Sequence, residues 1–156
     1  MSVSLRSALA SRGAQLSTAG DAVVDLKTRV GAVSFATPVI AASGTYGYGV
    51  EYDGLVDWSL VGGVSVKGLS LHPSRGHAAP RMVETAAGML NAIGLQNIGV
   101  DLFVAEKLPR LRAIGTRIIV NCWGNTLAEY DAVVEKLDTV PGIDALELNL
   151  SSPNKR

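Results

Sequence analysis

Short apolar runs alternate with amphipathic stretches along the chain. Four runs are bounded by glycine, proline or polar residues, and their length and β-branched content predict strands. These are PVIAA at 38–42, SLVGGVSV at 59–66, RIIVNC at 117–122 and ALELNL at 145–150. Near-continuous apolar strands that alternate with helices are typical of a parallel sheet covered by helices, so an α/β fold is predicted. A Rossmann-type sheet and a (β/α) barrel both fit, although no G-x-G-x-x-G motif follows any strand.

Two stretches between the predicted strands have helical character. Residues 100–107 predict one helix, and Pro109 is expected to begin a further helical segment because proline suits a first turn but not a helix interior. Thr126 and Glu129 have the spacing of an N-terminal capping box. The apolar residues that follow this box at helical intervals are Leu127, Tyr130, Val134 and Leu137. A second amphipathic helix is therefore predicted there.

The remaining segments have less regular patterns. Residues 23–30 and 32–35 flank a glycine and predict a small hairpin, whereas residues 69–89 are predicted to form a long polar loop. The following stretch, GMLNAIGLQN at 88–97, combines apolar and amide side chains with glycine. Its main chain near Gly94 can approach a flat ligand closely, or its apolar residues simply pack beneath a helix; both interpretations stay open.

Composition excludes several classes of function. Hydrophobic residues make up 47% of the chain, and 14 basic residues balance 14 acidic ones, so no charge excess points to nucleic acid or an anionic membrane. No apolar run reaches the roughly 18 residues that span a bilayer. The single cysteine, Cys122, rules out an internal disulfide framework and suits a reducing compartment. His72 and His77 have no cysteine or acid at a ligand spacing, so no metal site is predicted.

Residues 1–22 are predicted to be an N-terminal extension of the folded domain, which comprises residues 23–156. The first twenty residues contain arginine and serine but no acid. That composition is found in organelle transit peptides and also in disordered or loosely helical extensions. Both alternatives remain open.

Each predicted strand ends at a residue that forms hydrogen bonds or carries charge. These residues are Ser43, Lys67, Asn121 and Asn149. The carboxyl ends of parallel strands converge on the ligand site of α/β folds, so we expect the four side chains at one pocket. There Lys67 would neutralise an anionic ligand or a reduced cofactor, unless it is a surface lysine with a packed alkyl chain. Ser151 and Ser152 follow the last strand, but no nearby His–Asp pair completes a hydrolase triad.

Four stretches together resemble the N-terminal half of dihydroorotate dehydrogenases. They are AASGTYGYG at 41–49, SVKGLSLHPSRGHAAPRMVET at 65–85, GMLNAIGLQNIGV at 88–100 and ALELNLSSPN at 145–154. The chain is most similar to the cytosolic class 1 enzymes, in particular the type that pairs with an iron–sulfur flavoprotein electron-transfer subunit. The resemblance implies the first half of a (β/α)8 TIM barrel, with FMN at the carboxyl ends of its strands, in a cytoplasmic homodimer without a membrane span.

The same resemblance implies a reaction and its residues. A base removes a proton from C5 of (S)-dihydroorotate while C6 passes a hydride to flavin N5, which yields orotate in de novo pyrimidine biosynthesis. The expected base is Ser152, and Lys67 would stabilise the developing negative charge. Contacts with FMN are implied for Ala42, Ser43, Gly44, Lys67, Gly68, Asn121 and Asn149. Contacts with the substrate are implied for Lys67, Asn91, Ile93, Gly94, Leu95, Asn149 and Asn154.

Ser152 departs from the class that the chain otherwise resembles. Class 1 enzymes carry cysteine at this position, and serine is typical of the membrane-associated class 2 enzymes. A natural serine variant, an engineered replacement of cysteine and a hybrid of the two classes all remain open. Trp123, which lies two residues after Asn121, is a second departure and has no assigned role.

The chain holds four predicted strands, whereas a complete barrel of this type has about 250 residues. We expect the C-terminal half of the barrel to be a separate chain or to lie outside this one, and the FMN site to need it. Two alternatives are a non-catalytic half-barrel that binds a partner chain and a related dihydropyrimidine-type flavin oxidoreductase. Fumarate, a quinone and NAD through a partner subunit all stay open as electron acceptors.

Overall fold

The computed structural model describes residues 24–153. The predicted extension at 1–22 and the predicted substrate-binding residue Asn154 therefore lie outside the described residues. Its strands are β1 (Thr28–Val30), β2 (Val33–Phe35), β3 (Ile40–Ala41), β4 (Gly63–Leu69), β5 (Met82–Thr85), β6 (Gly88–Asn91), β7 (Arg117–Cys122) and β8 (Ala145–Leu148). The predicted hairpin at the start of the domain is confirmed, since β1 and β2 pair antiparallel.

The centre of the fold is a four-stranded sheet in the order β3-β4-β7-β8, with every neighbouring pair parallel. This order follows the chain without reversal, which is the order of a barrel; a doubly wound sheet reverses direction at a switch point. The predicted parallel α/β sheet is thereby confirmed.

The sheet is strongly curled. Ser43, just after edge strand β3, donates a hydrogen bond of 3.5 Å from its Oγ to Oε1 of Glu147 on the opposite edge strand β8. Three strand spacings separate these strands, about 14 Å in a flat sheet, which the two side chains could not bridge. The face that carries both residues is therefore concave, as the inner face of a barrel is.

The convex face packs on two helices. The first, α1, is continuous and consists of Val100–Leu102, a π-helical turn at Phe103–Lys107, and Leu108–Ile114. The second, α2, is Leu127–Asp138. Strand residues of the buried core are Val64, Val66, Leu69, Ile118, Val120 and Cys122, and helix residues are Val100, Phe103, Leu108, Leu111, Val133 and Leu137. Because side chains alternate along a strand, Ser65, Asn121 and Glu147 belong to the concave face.

The helical segment predicted to begin at Pro109 is confirmed to within one residue, since the α-helical part Leu108–Ile114 has Pro109 in its first turn. Pro109 lies in the first turn after the π-helical turn, within one uninterrupted helix. Proline has no N–H group to donate to the helix. The π-helical turn before Pro109 lets the helix continue past the missing hydrogen bond without a break. The helix ends where Gly115 adopts a left-handed conformation with φ of 82°.

The predicted cap of α2 is confirmed, with one difference. Thr126 Oγ1 accepts a 3.2 Å hydrogen bond from the main-chain N–H of Glu129. The Glu129 carboxylate accepts from the N–H of Asn125, one residue before the position that a capping box uses. Val133 and Leu137 are buried, but Leu127 is 83% exposed because the first turn lies beyond the packed core.

The long loop predicted at 69–89 is wrong in its second part. β5 and β6 form an antiparallel hairpin, from Met82 opposite Asn91 to Thr85 opposite Gly88. Every side chain in this hairpin is exposed, so the sequence carries no alternation of buried and exposed positions that would indicate strands. Among the described residues, no helix is long and apolar enough to cross a membrane.

Candidate active site

The concave face carries a polar layer at the carboxyl ends of the strands. Asn121 of β7 lies opposite Glu147 of β8, and its Nδ2 donates a hydrogen bond to Glu147 Oε1. Ser43 donates to the same oxygen. Asn121 is only 5% exposed, whereas Glu147 is exposed on the concave face. Two of the predicted strand-end residues, Ser43 and Asn121, are therefore brought together.

Lys67 and Gly68 lie within β4, not beyond its end as the sequence indicated. Val66 pairs with Val120 and Leu69 with Cys122, so that Lys67 and Gly68 both oppose Asn121 in a β-bulge. Such bulges bend a strand and change the direction of a side chain, and they are common beside active sites. Lys67 is half-buried, and its main-chain N–H donates a 2.7 Å bond to the carbonyl of Gly47.

Gly68 allows the close approach of Asn121. A Cβ atom at position 68 would lie 2.7 Å from Asn121 Oδ1 and 3.3 Å from Cδ1 of Trp123. Any larger residue would push the Asn121 carboxamide out of the layer. Trp123, which had no assigned role, thus packs beside the bulge.

A cavity of about 200 Å³ is lined by Trp123, which packs beside the bulge, and by three more of the predicted residues. Leu95, Asn149 and Ser152 line it, together with Trp123 and Tyr130. The N–H of Asn149 donates to the carbonyl of Cys122 at 2.9 Å, which extends the β7–β8 ladder one step beyond β8. The Tyr130 hydroxyl donates to the Asn149 carbonyl, so helix α2 helps to hold this turn.

The loop that follows β6 presents strained main chain to the cavity. Leu95 has φ of 55°, which is uncommon for a residue other than glycine, and Gly94 has φ of 76°. Such strain is concentrated at functional sites, where the surrounding structure maintains it. His77 packs behind the loop: its N–H donates to the carbonyl of Ile93 at 2.9 Å, and a Cβ at Gly94 would lie 2.7 Å from its ring.

Asn97 anchors this loop, although it was not among the predicted site residues. It is 5% exposed and accepts hydrogen bonds at Oδ1 from the main-chain N–H groups of Ser70 (3.2 Å) and Gly99 (2.8 Å). Its Nδ2 donates to the carbonyl of Leu95 at 3.0 Å. Asn97 thereby ties the end of β4, the start of α1 and the cavity wall together. An amide among glycines is a weak sequence signal, because the same composition is typical of any turn.

Three further predicted residues belong neither to the polar layer nor to the lining of the cavity. Asn91 is exposed at the end of β6, and Ala42 and Gly44 are exposed after β3. Glu147 was missed as a site residue, although a glutamate between Leu146 and Leu148 in a strand is a signal for a polar side chain on the other face.

Cys122 is a core residue. Burial, assisted by the nearby Glu147 carboxylate, raises the pKa of its thiol to about 11, which keeps the thiol protonated at neutral pH. A protonated thiol is a poor nucleophile. In the part of the chain that the structure describes, no group of three or more histidine, cysteine or acidic residues could hold a metal ion.

Comparison with known proteins agrees with this geometry. The sequence model of the dihydroorotate dehydrogenase family matches residues 25–156. The catalytic subunit of dihydroorotate dehydrogenase B (NAD(+)) from Geotalea daltonii is 51% identical over 130 residues, which cover 83% of this chain and 43% of that protein. The corresponding subunit from Thermodesulfovibrio yellowstonii is 52% identical over 130 residues, with the same 83% and 43% coverage.

The fold has a solved counterpart. The crystal structure of DHODH from Eimeria tenella in complex with ferulenol has a TM-score of 0.62 and 24% identity, and the match covers 85% of this chain and 38% of that one. This likeness and the curled parallel sheet confirm the predicted barrel, of which the described residues form a part. The chain spans about 43% of the length of the curated relatives it matches. On these grounds the chain belongs to the dihydroorotate dehydrogenase family.

Proposed function

We propose that this chain forms the N-terminal half of the barrel of an FMN-dependent enzyme that oxidises (S)-dihydroorotate to orotate in pyrimidine biosynthesis. The observation that carries the proposal is the hydrogen-bonded layer of Ser43, Asn121 and Glu147 at the strand ends, with Lys67 opposite Asn121 in the bulge. Asn149 and Ser152 line a cavity that Trp123, beside the same bulge, also lines. The proposed reaction rests on family membership, and the proposed site rests on the polar residues at the strand ends.

The residues of the layer fit FMN. Lys67 contributes a cation, Ser43 a hydroxyl group and Asn121 a carboxamide, which together match the acceptors and the N–H group on the pyrimidine part of an isoalloxazine ring. Gly44 has open space around it, with no atom within 4 Å of the position of a Cβ, so a flat ring can approach its main chain. FMN, when bound, supplies the hydride acceptor. The protein binds and orients the two reactants.

Lys67 and the loop at 93–95 are proposed to hold the substrate. An ammonium group stabilises the substrate carboxylate and the negative charge that develops during oxidation. Gly94 and Leu95 have left-handed main chain, and Leu95 lines the cavity. Their amide groups are proposed to bind the substrate, and Asn91 and Asn154 are proposed to complete the contacts.

Ser152 is proposed as the group that removes the C5 proton. It lines the cavity beside Asn149. An alcohol does not ionise at neutral pH, so the proton must leave through a hydrogen-bonded acceptor or a water relay. Replacement of Ser152 by alanine is expected to abolish reduction of the flavin by dihydroorotate, while Ser151→Ala leaves it within a fewfold. Ser152→Cys is expected to retain activity with a pH profile governed by a thiol of pKa about 8.5. Unchanged flavin reduction in Ser152→Ala would exclude this role.

The rest of the barrel is proposed to come from strands outside the described residues. Within them, β3 and β8 are the edges of the sheet, and apolar side chains stand at both edges. Ile40 is 40% exposed at one, and Leu148 and Leu150 are 50% and 79% exposed at the other. Unpaired apolar edges are sites where further strands add.

Electron transfer to NAD through a further subunit is proposed, because the relatives are named catalytic subunits of dihydroorotate dehydrogenase B (NAD(+)). A cytoplasmic homodimer whose further subunit is an iron–sulfur flavoprotein is proposed from the resemblance of the sequence motifs to the class 1 enzymes.

The decisive experiment is anaerobic reduction of the flavin in the complete barrel. Bleaching of the flavin absorbance by dihydroorotate, with no bleaching by dihydrouracil, is the expected result. Bleaching by dihydrouracil alone would indicate the dihydropyrimidine-type oxidoreductase, and a colourless protein that binds no FMN would indicate a non-catalytic barrel.

A further inference from the structure

Glu147 is a carboxylate within the polar layer that the proposed reaction does not use. It lies on the concave face of β8, directly opposite Asn121 of β7. Its Oε1 accepts from the Asn121 carboxamide and, at 3.5 Å, from the Ser43 hydroxyl. Glu147 therefore links β8 to Asn121 on β7 and to Ser43 just after β3.

The carboxylate determines which way the Asn121 carboxamide faces. An ionised carboxylate only accepts hydrogen bonds, so the NH₂ group of Asn121 must face it. The carbonyl oxygen of the same carboxamide then lies on the β4 side, 2.7 Å from where a Cβ of Gly68 would be. With a neutral partner that both donates and accepts, either orientation of the carboxamide would be satisfied.

Hydrogen bonding and packing favour the same orientation. Asn121 is 5% exposed, whereas Glu147 is exposed on the concave face. A reversed carboxamide would place its oxygen against the Glu147 carboxylate, and two facing acceptors without a proton between them repel each other. The observed orientation instead pairs the NH₂ group with the carboxylate and packs the oxygen against Gly68.

We propose that Glu147 is a positioning residue that locks the Asn121 oxygen towards β4, so that the ligand group which meets Asn121 is a hydrogen-bond donor. This inference rests on the proposed function for the identity of the ligand. For FMN, the donor on the pyrimidine part of the oxidised ring is the N3–H group. FMN methylated at N3 lacks that donor and is otherwise closely similar.

The test is the ratio of the dissociation constants of N3-methyl-FMN and FMN, measured by flavin fluorescence in the complete barrel. We expect the unmodified protein to prefer FMN by tenfold or more, and Asn121→Ala to reduce that ratio to near one. Glu147→Gln is expected to lower the ratio severalfold, because its amide permits both carboxamide orientations. A merely structural role for Glu147 would weaken both ligands equally and leave the ratio unchanged, which would overturn the proposal.

A charge swap provides an independent check. Asn121→Asp sets two carboxylates against each other and is expected to weaken FMN binding at least tenfold. In Asn121→Asp/Glu147→Gln, the glutamine amide donates to one aspartate oxygen while the other oxygen still faces β4, so binding and the preference for FMN should return. A double variant that binds FMN no better than Asn121→Asp would overturn the proposal.

The unmodified protein, Glu147→Gln, Asn121→Asp and the double variant are also compared without flavin by their thermal midpoints. The double variant should be more stable than Asn121→Asp, because the donor–acceptor pair is restored. If the unmodified complete barrel bound no FMN, the proposed function would fail, and this comparison would still decide whether Glu147 and Asn121 form the pair. Equal midpoints for Asn121→Asp and the double variant would refute the pair itself.

Discussion

Replacement of Asn97 by alanine tests whether a single buried carboxamide holds the wall of the candidate-site cavity at Leu95. The side chain bonds to the N–H of Ser70 at the end of β4, to the N–H of Gly99 at the start of α1, and to the carbonyl of Leu95. It also donates to the Ser70 hydroxyl at 2.9 Å, whose own proton goes to the carbonyl of His72. Alanine leaves three main-chain groups without these partners.

The expected cost follows from those three groups. Each buried polar group left without a partner costs about 1 kcal/mol or more, so Asn97→Ala should lower the free energy of unfolding by about 3 kcal/mol. With a urea m-value of about 2 kcal/mol/M, the unfolding midpoint should fall by about 1.5 M. The loss is large compared with the roughly 5–15 kcal/mol that stabilise a typical domain.

Urea unfolding followed by far-UV circular dichroism measures this shift. Asn91→Ala is the matched control, because Asn91 is an exposed asparagine on the same stretch of chain. An exposed substitution typically changes stability by less than about 0.5 kcal/mol, so the control midpoint should move by under about 0.3 M. Equal midpoints for Asn97→Ala and the control would refute the claim that Asn97 anchors the loop.

Four further predictions rest on local geometry. The raised pKa of Cys122, about 11, predicts that a thiol reagent at pH 8 labels the native protein far more slowly than the urea-unfolded protein; equal rates would contradict this. Because the folded pKa exceeds the unfolded one of 9.0, the stability that the protonated thiol contributes is complete below pH 9 and is lost between pH 9 and about 11, which urea midpoints across this range would measure. Gly94→Ala would place a Cβ at a residue with φ of 76° and only 2.7 Å from the His77 ring. It should lower the thermal midpoint more than Gly115→Ala, whose φ is also positive but whose added Cβ would have no atom within 4 Å. Equal losses would mean that the His77 ring can move away at no cost in stability. Thr126→Ala should cost about 1 kcal/mol through loss of the helix cap, whereas Thr126→Ser should cost less; equal urea midpoints would count against the cap.

Local chemistry made part of the site predictable. Ser43, Asn121 and Asn149 follow or end apolar runs, and parallel strands align such ends whatever their partners are. Ser43 and Asn121 indeed meet at one carboxylate, while Asn149 and Ser152 share the adjoining cavity. The placement of Asn91 could not be predicted, because an exposed hairpin has no buried face to mark it in the sequence.

The alternation of strands and helices, the cap at Thr126 and the types of side chain at the strand ends could be predicted, because each depends on residues close together in the chain. Three other features arise only from tertiary contacts. The bulge at Lys67 depends on pairing with β7, and the strain at Leu95 depends on the buried anchor of Asn97. The contact of Glu147 with Ser43 depends on a curl that brings β8 close to the end of β3. All three arise from contacts between segments distant along the chain, which local patterns of polarity do not encode.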